Sequence, residues 1–132
     1  MSELPSRRAV LAAAALTAAA VPTLAACGRK HADVPSSGTD IAALDDVPDG
    51  ETTVIYTPAG DPVVLTRSGD TVTALSGVCT HQSCSVRMEP DYILCPCHNS
   101  KFNADGTVIS GPAPDPLPAI AVEVVDGRIV VA

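Results

Sequence analysis

The chain has no Trp, one Phe and two Tyr in 132 residues. A core so short of rings has to rely on Val, Ile and Leu, which is thin for one small domain and makes added cross-links valuable. Basic residues are also scarce: eight Lys and Arg stand against fifteen Asp and Glu, a formal net charge of −7. That balance argues against nucleic acid as a partner and is compatible with a basic protein surface. The sequence shows no nucleophile–base pair, no phosphate-binding loop and no internal repeat, so no residue is read as catalytic. After residue 50 no segment carries a helical period.

What is present is concentrated in two short boxes. The first reads C-T-H-Q-S-C, Cys79 to Cys84, and the second C-P-C-H-N-S, Cys95 to Ser100. They hold four of the five cysteines and two of the three histidines. Each offers one Cys and one His at close spacing plus one further Cys. That set fits a [2Fe–2S] centre with two thiolates on one iron and two imidazoles on the other. A structural zinc site would also take four such ligands but would leave two cysteines over. Disulfide staples alone would leave the histidines unexplained.

From about Ala74 onward the chain resembles the Rieske iron–sulfur family. The resemblance implies Cys79 and Cys95 on one iron, His81 and His98 on the other, and a disulfide between Cys84 and Cys97. Gly111-Pro112-Ala113-Pro114 looks like the proline loop that covers the cluster in that family. Two positions where the family usually carries Gly hold Ser83 and Asn99 here. Glycine serves where the backbone needs positive φ or a close approach, and Asn tolerates that conformation better than most residues. Ser100 matches the serine that donates a hydrogen bond to a cluster sulfur. Phe102 stands where high-potential members commonly have Tyr, so it lacks the hydroxyl that would donate to a ligand sulfur.

The ligand set has an electrostatic meaning. Two ferric ions, two sulfides and two thiolates sum to zero charge with neutral imidazoles, so reduction adds an electron to a neutral centre. Replacing two Cys by two His lifts the potential from about −400 mV into a range of about −150 to +300 mV. Electron and proton uptake at the imidazoles are then thermodynamically linked. The expected role is one-electron transfer.

Around the boxes the segments are short, β-branched and punctuated by turn residues. Thr52 to Thr57, Asp61 to Thr66 and Thr71 to Ser76 read as strands. Tyr92 to Leu94 and Thr107 to Ile109 read as shorter ones, and Ala119 to Val125 with Arg128 to Val131 as a hairpin turning at Asp126-Gly127. The expectation is an all-β, antiparallel β-sandwich base over residues 49–132, with a cluster-binding subdomain at about 77–114 inserted between strands from both ends of the chain.

The N-terminal part reads as targeting sequence. Ser6-Arg7-Arg8 precedes the Ala-rich run Ala9 to Ala26, which resembles a Tat export signal, and Leu24-Ala25-Ala26-Cys27 resembles a bacterial lipobox. The implied product is cut before Cys27 and lipidated there, with residues 27–48 as a linker that contains a solvated His31. The alternative is an uncleaved membrane anchor. Export suits a protein whose cluster is assembled before translocation, and an oxidising exterior permits a disulfide. The expected location is the outer face of the cytoplasmic membrane. Expected partners are redox proteins, among them a cytochrome or quinol-oxidising complex of the quinol–cytochrome c type, or another exported oxidoreductase such as an arsenite oxidase. A ferredoxin for a cytoplasmic dioxygenase is disfavoured by the export pattern and by Cys84 and Cys97.

Overall fold

The computed structural model describes residues 33–132; the expected signal segment 1–26, Cys27 and His31 lie outside the described residues. The strands are β1 (Asp40–Ala43), β2 (Thr52–Tyr56), β3 (Pro62–Ser68), β4 (Thr71–Ser76), β5 (Arg87–Met88), β6 (Ile93–Cys95), β7 (Ser100–Phe102), β8 (Val108–Ser110), β9 (Ala119–Ile120), β10 (Val122–Val125) and β11 (Arg128–Val131). A single 3₁₀ turn, Leu44–Asp46, follows β1. They form three sheets in the orders β1-β11-β10, β2-β3-β4-β9 and β5-β6-β7-β8, with antiparallel pairing throughout. The all-β expectation holds: the first two sheets are the base and the third is the cluster-binding subdomain, inserted between β4 and β9.

The β2-β3-β4-β9 sheet is a shared wall. Successive side chains of a strand point to opposite faces, and β3 uses both. Val63 and Leu65 lie in one core with Ile41, Val47, Ala74, Ile120 and Ile129. Val64 lies in the other with Val86, Ile93, Phe102 and Leu117. Burial on both sides explains why Val63-Val64-Leu65 is a continuous apolar run instead of an alternating one. β2 and β4 divide likewise, with Ile55 and Ala74 toward the base core and Val54 and Leu75 toward the other.

Two sequence expectations are corrected. The linker drawn over residues 27–48 is structured from Asp40, because β1 pairs with β11 at the far end of the chain and buries Ile41 and Ala42. Four residues are too few for a period to show, and the pairing that stabilises them is non-local. Arg67 clips the same segment: its guanidinium donates to the carbonyls of Leu44 and Val47, each at 3.1 Å. The expected strand from Ala119 to Val125 is two strands, since at Ala121 the chain leaves the sheet of β4 for that of β11. The Asp126-Gly127 turn is as expected, with both residues at positive φ, the pattern of a two-residue hairpin loop.

The base meets the cluster subdomain at Gly77, directly after β4. Its N–H donates to the Pro62 carbonyl at 2.9 Å, so the two backbones touch. A Cβ there would stand 2.7 Å from the Pro62 Cβ and 2.8 Å from its carbonyl carbon. Gly77→Ala is expected to destabilise the domain by about 1–3 kcal/mol, the usual penalty of overpacking, measured as a lower urea midpoint at unchanged slope.

Candidate metal centre

Both boxes are hairpin tips. Cys95 ends β6 and pairs with Ser100 at the start of β7, so Pro96 to Asn99 form the connecting loop. The first box is closed by its own backbone: the Cys79 N–H donates to the Cys84 carbonyl at 2.8 Å and the Ser83 N–H to the Cys79 carbonyl at 2.9 Å. A bridge between Val78 and Ser85 pairs the two arms of this loop at its foot. Cys84 and Cys97 join the two tips through a disulfide, with their Cα atoms 6.5 Å apart.

Cys79 and Cys95 are left as free, buried thiols. Burial pushes the Cys95 thiol up from its ordinary value, and the Cys79 side chain beside it pushes the same way. A buried thiol of this kind resists ionisation unless a cation arrives to take the charge. The imidazoles of His81 and His98 stand edge to face with ring centroids 4.7 Å apart. His81 Nδ1 is buried with no hydrogen-bond partner. A buried ring nitrogen left without a partner is disfavoured, and neutral imidazole is the commonest metal ligand. The donor set therefore fits an iron–sulfur group: the two thiols stand side by side, the two imidazoles stand side by side, and one ring nitrogen lacks a partner. The sulfurs of Cys84, Cys95 and Cys97 also lie within 4.8 Å of one another, but two of these are spent in the disulfide and cannot ligate.

The proline loop is bound to both tips. Ser100, fully buried, accepts a hydrogen bond from the Ala113 N–H at 3.0 Å. Its oxygen thus holds the loop, while its own O–H remains available to donate. Thr80 donates from its hydroxyl to the Asp115 carbonyl at 2.7 Å. Nothing in the sequence marks Thr80 for this, since its partner is a backbone atom 35 residues away. Gly111 has φ +96°, and a Cβ on it would lie 2.5 Å from the Ser100 Cα; only glycine lets the loop come this close. Pro112 is exposed. Phe102 is fully buried beside Cys79, Cys95 and Ala113.

The family model for the Rieske [2Fe-2S] domain matches residues 37–121. The chain belongs to this family. It is 43% identical over 94 residues to the cytochrome b6-f complex iron-sulfur subunit of Chlorobaculum tepidum, a match covering 70% of this chain and 51% of that protein. Among solved structures it is similar to the cyanobacterial plasma membrane Rieske protein PetC3 from Synechocystis PCC 6803, with a TM-score of 0.55, 30% identity, and 70% of this chain and 97% of that one covered. It is also similar to a chain of a hyperthermophilic respiratory Complex III, with a TM-score of 0.56, 27% identity, and 72% and 75% covered. The chain spans about half the length of the first of these relatives. The Rieske centre is a [2Fe–2S] cluster, and it transfers one electron at a time.

Ser83 and Asn99 both have positive φ, 56° and 60°. They are the two positions at which the resemblance calls for glycine, so the tip backbones keep a glycine-like conformation with side chains attached. That conformation is unfavourable by roughly 1–2 kcal/mol for an ordinary residue and milder for Asn. Ser83→Gly is expected to stabilise the domain by about 0.5–1 kcal/mol after the added chain entropy of glycine is subtracted, and Asn99→Gly by less. Thermal unfolding of the two variants beside the wild type checks the order.

Proposed function

We propose that Cys79 and Cys95 hold one iron of the cluster and His81 and His98 the other, and that the domain serves as the iron–sulfur subunit of a quinol-oxidising assembly of the cytochrome b6-f or bc type. The observation that carries the ligand set is that two buried free thiols and the partnerless His81 Nδ1 all lie on two tips locked by a disulfide. The assembly is supported by the relative from Chlorobaculum tepidum, which is such a subunit. A freely acting carrier is favoured only by the similarity to a solved ferredoxin of carbazole 1,9a-dioxygenase, 30% identical with a TM-score of 0.51; the subunit reading has the higher sequence identity, 43%.

When bound, a cluster with mixed Cys and His ligation accepts one electron at about −150 to +300 mV. The chain's residues divide the remaining work. Burial of Cys79 and Cys95 keeps water from the thiolate side. His98 is exposed and His81 half-buried, so the imidazole side is the face a partner can reach and the place where a proton can be taken up. Ser100 and Thr80 pin the proline loop, which fixes how close a partner comes. Phe102 lies in the same buried core as the two cysteines and offers no donor, which favours the lower part of the potential range.

The same reading extends to the N-terminal segment. Residues 1–26 serve as a Tat-like signal and Cys27 as the lipidated tether to the outer face of the cytoplasmic membrane, supported by Arg7-Arg8 and Leu24 to Cys27. Among the described residues no helix is long and apolar enough to cross a membrane.

Three measurements follow. Protein matured in an iron-replete host should carry two irons and two acid-labile sulfides per chain, as the cluster type requires; one zinc and no sulfide would sink the ligand set. Phe102→Tyr should raise the reduction potential in protein-film voltammetry, because its hydroxyl can donate to a ligand sulfur and favour the more negative state. Cys27→Ser should release the domain from membranes or leave the precursor uncut, read by fractionation and intact mass. Finding residues 1–26 still attached in the wild type would make that segment an anchor.

A further inference from the structure

Two large apolar side chains, Val34 and Tyr56, are 55% and 53% exposed, and both lie where the N-terminal segment meets the domain. Residues 33–39 are bound to the fold. The Gly38 N–H donates to the Val131 carbonyl at 2.8 Å, Pro35 is buried, and the Asp33 N–H donates to Asp61 Oδ1 at 3.3 Å. Asp61 closes the loop between β2 and β3, whose exposed residues Pro58, Ala59 and Gly60 carry no charge. Tyr56 pairs with Pro62 at the foot of that loop.

The length of chain beyond this end decides what can reach it. Cys27, the proposed point of lipidation, stands six residues before Asp33, and six residues fully extended span at most about 20–22 Å. The end of the domain held nearest the tether is therefore the one that exposes Val34 and Tyr56. We propose that this end rests on the phospholipid surface, with Tyr56 in the headgroup region and Val34 and the Pro58-Ala59-Gly60 loop beside it. This inference rests on the reading of Cys27 as the membrane tether; the length bound is the same if residues 1–26 stay in the membrane instead. Tyr suits such a boundary, because its ring is apolar and its hydroxyl polar. The charges agree with this. Arg29 and Lys30 lie between Cys27 and the domain, where cations gain from anionic lipid headgroups. Asp33 sets one carboxylate against those two cations, and the Asp61 carboxylate already accepts from the Asp33 N–H and the Thr57 hydroxyl. The same loop leads to the centre: Pro62 accepts from the Gly77 N–H, two residues before Cys79. Lipid contact and entry to the first box thus share one end of the β2-β3-β4-β9 wall.

The chain has no Trp, so a single introduced one reports only its own surroundings. Cluster-loaded, exported Tyr56→Trp protein is placed on vesicles of phosphatidylethanolamine and phosphatidylglycerol, with and without brominated acyl chains. Val125→Trp is the reference. Val125 is exposed beside the Asp126-Gly127 turn, which Leu44 and Arg67 connect to the far end of β3 from Pro62. Iron and sulfide contents equal to the wild type show that each variant is folded, and Ala59→Trp on the same loop repeats the reading. Bromination should cut the Tyr56→Trp emission by about half, since a ring at the headgroup–acyl boundary meets the bromines, and should leave Val125→Trp unchanged. Vesicle flotation with neither ring quenched, or with both quenched alike, overturns the docking and leaves the tether reading standing. Protein that does not float with the vesicles overturns the tether reading, and the docking falls with it.

Discussion

The centre depends on one covalent constraint. Two hairpin tips, separated in sequence by the whole of β5 and β6, are held face to face by the Cys84–Cys97 bridge. Everything at the site is arranged around that closure. Cys79 and Cys95 lie at the feet of the two loops, where the strands bury them, while His81 and His98 lie nearer the crests. Burial at the feet and exposure at the crests come from the same hairpin geometry. This gives the site a buried thiol side and a reachable imidazole side.

A second constraint is close approach. The proline loop can touch Ser100 only because Gly111 has no side chain, and the subdomain can touch the base only because Gly77 has none. With few rings available, the molecule gains density by bringing backbones together. Phe102 fills the space those contacts leave and packs the second core. The one Phe of the chain thus shares a buried core with both proposed cysteine ligands.

The sequence made the centre legible because its information is local: each box is six residues long, and ligand types and spacing survive without knowledge of the fold. The strands β2 to β4 were legible for a related reason, being bounded by turn residues. β1 was not, since Ile41 and Ala42 owe their burial to β11 at the other end of the chain. β7 was hidden at the end of the second box, where Ser100 and Phe102 read as site residues and not as a strand. The break at Ala121 was invisible because a strand that changes sheets keeps its β-favouring composition. Ser83 and Asn99 were flagged only by comparison with glycine-bearing relatives. Their positive φ comes from how the tips must turn, which neither residue announces by itself.

The shared wall has a consequence for how the centre is held. Proteins usually open in pieces, and the pieces follow the boundaries between separately packed units. Here β3 contributes Val63 and Leu65 to one core and Val64 to the other, so no seam runs between the base and the cluster subdomain. Neither half can loosen and leave the other intact. Loosening of β3 would therefore disturb the packing behind the cluster tips and the packing of the base at the same time.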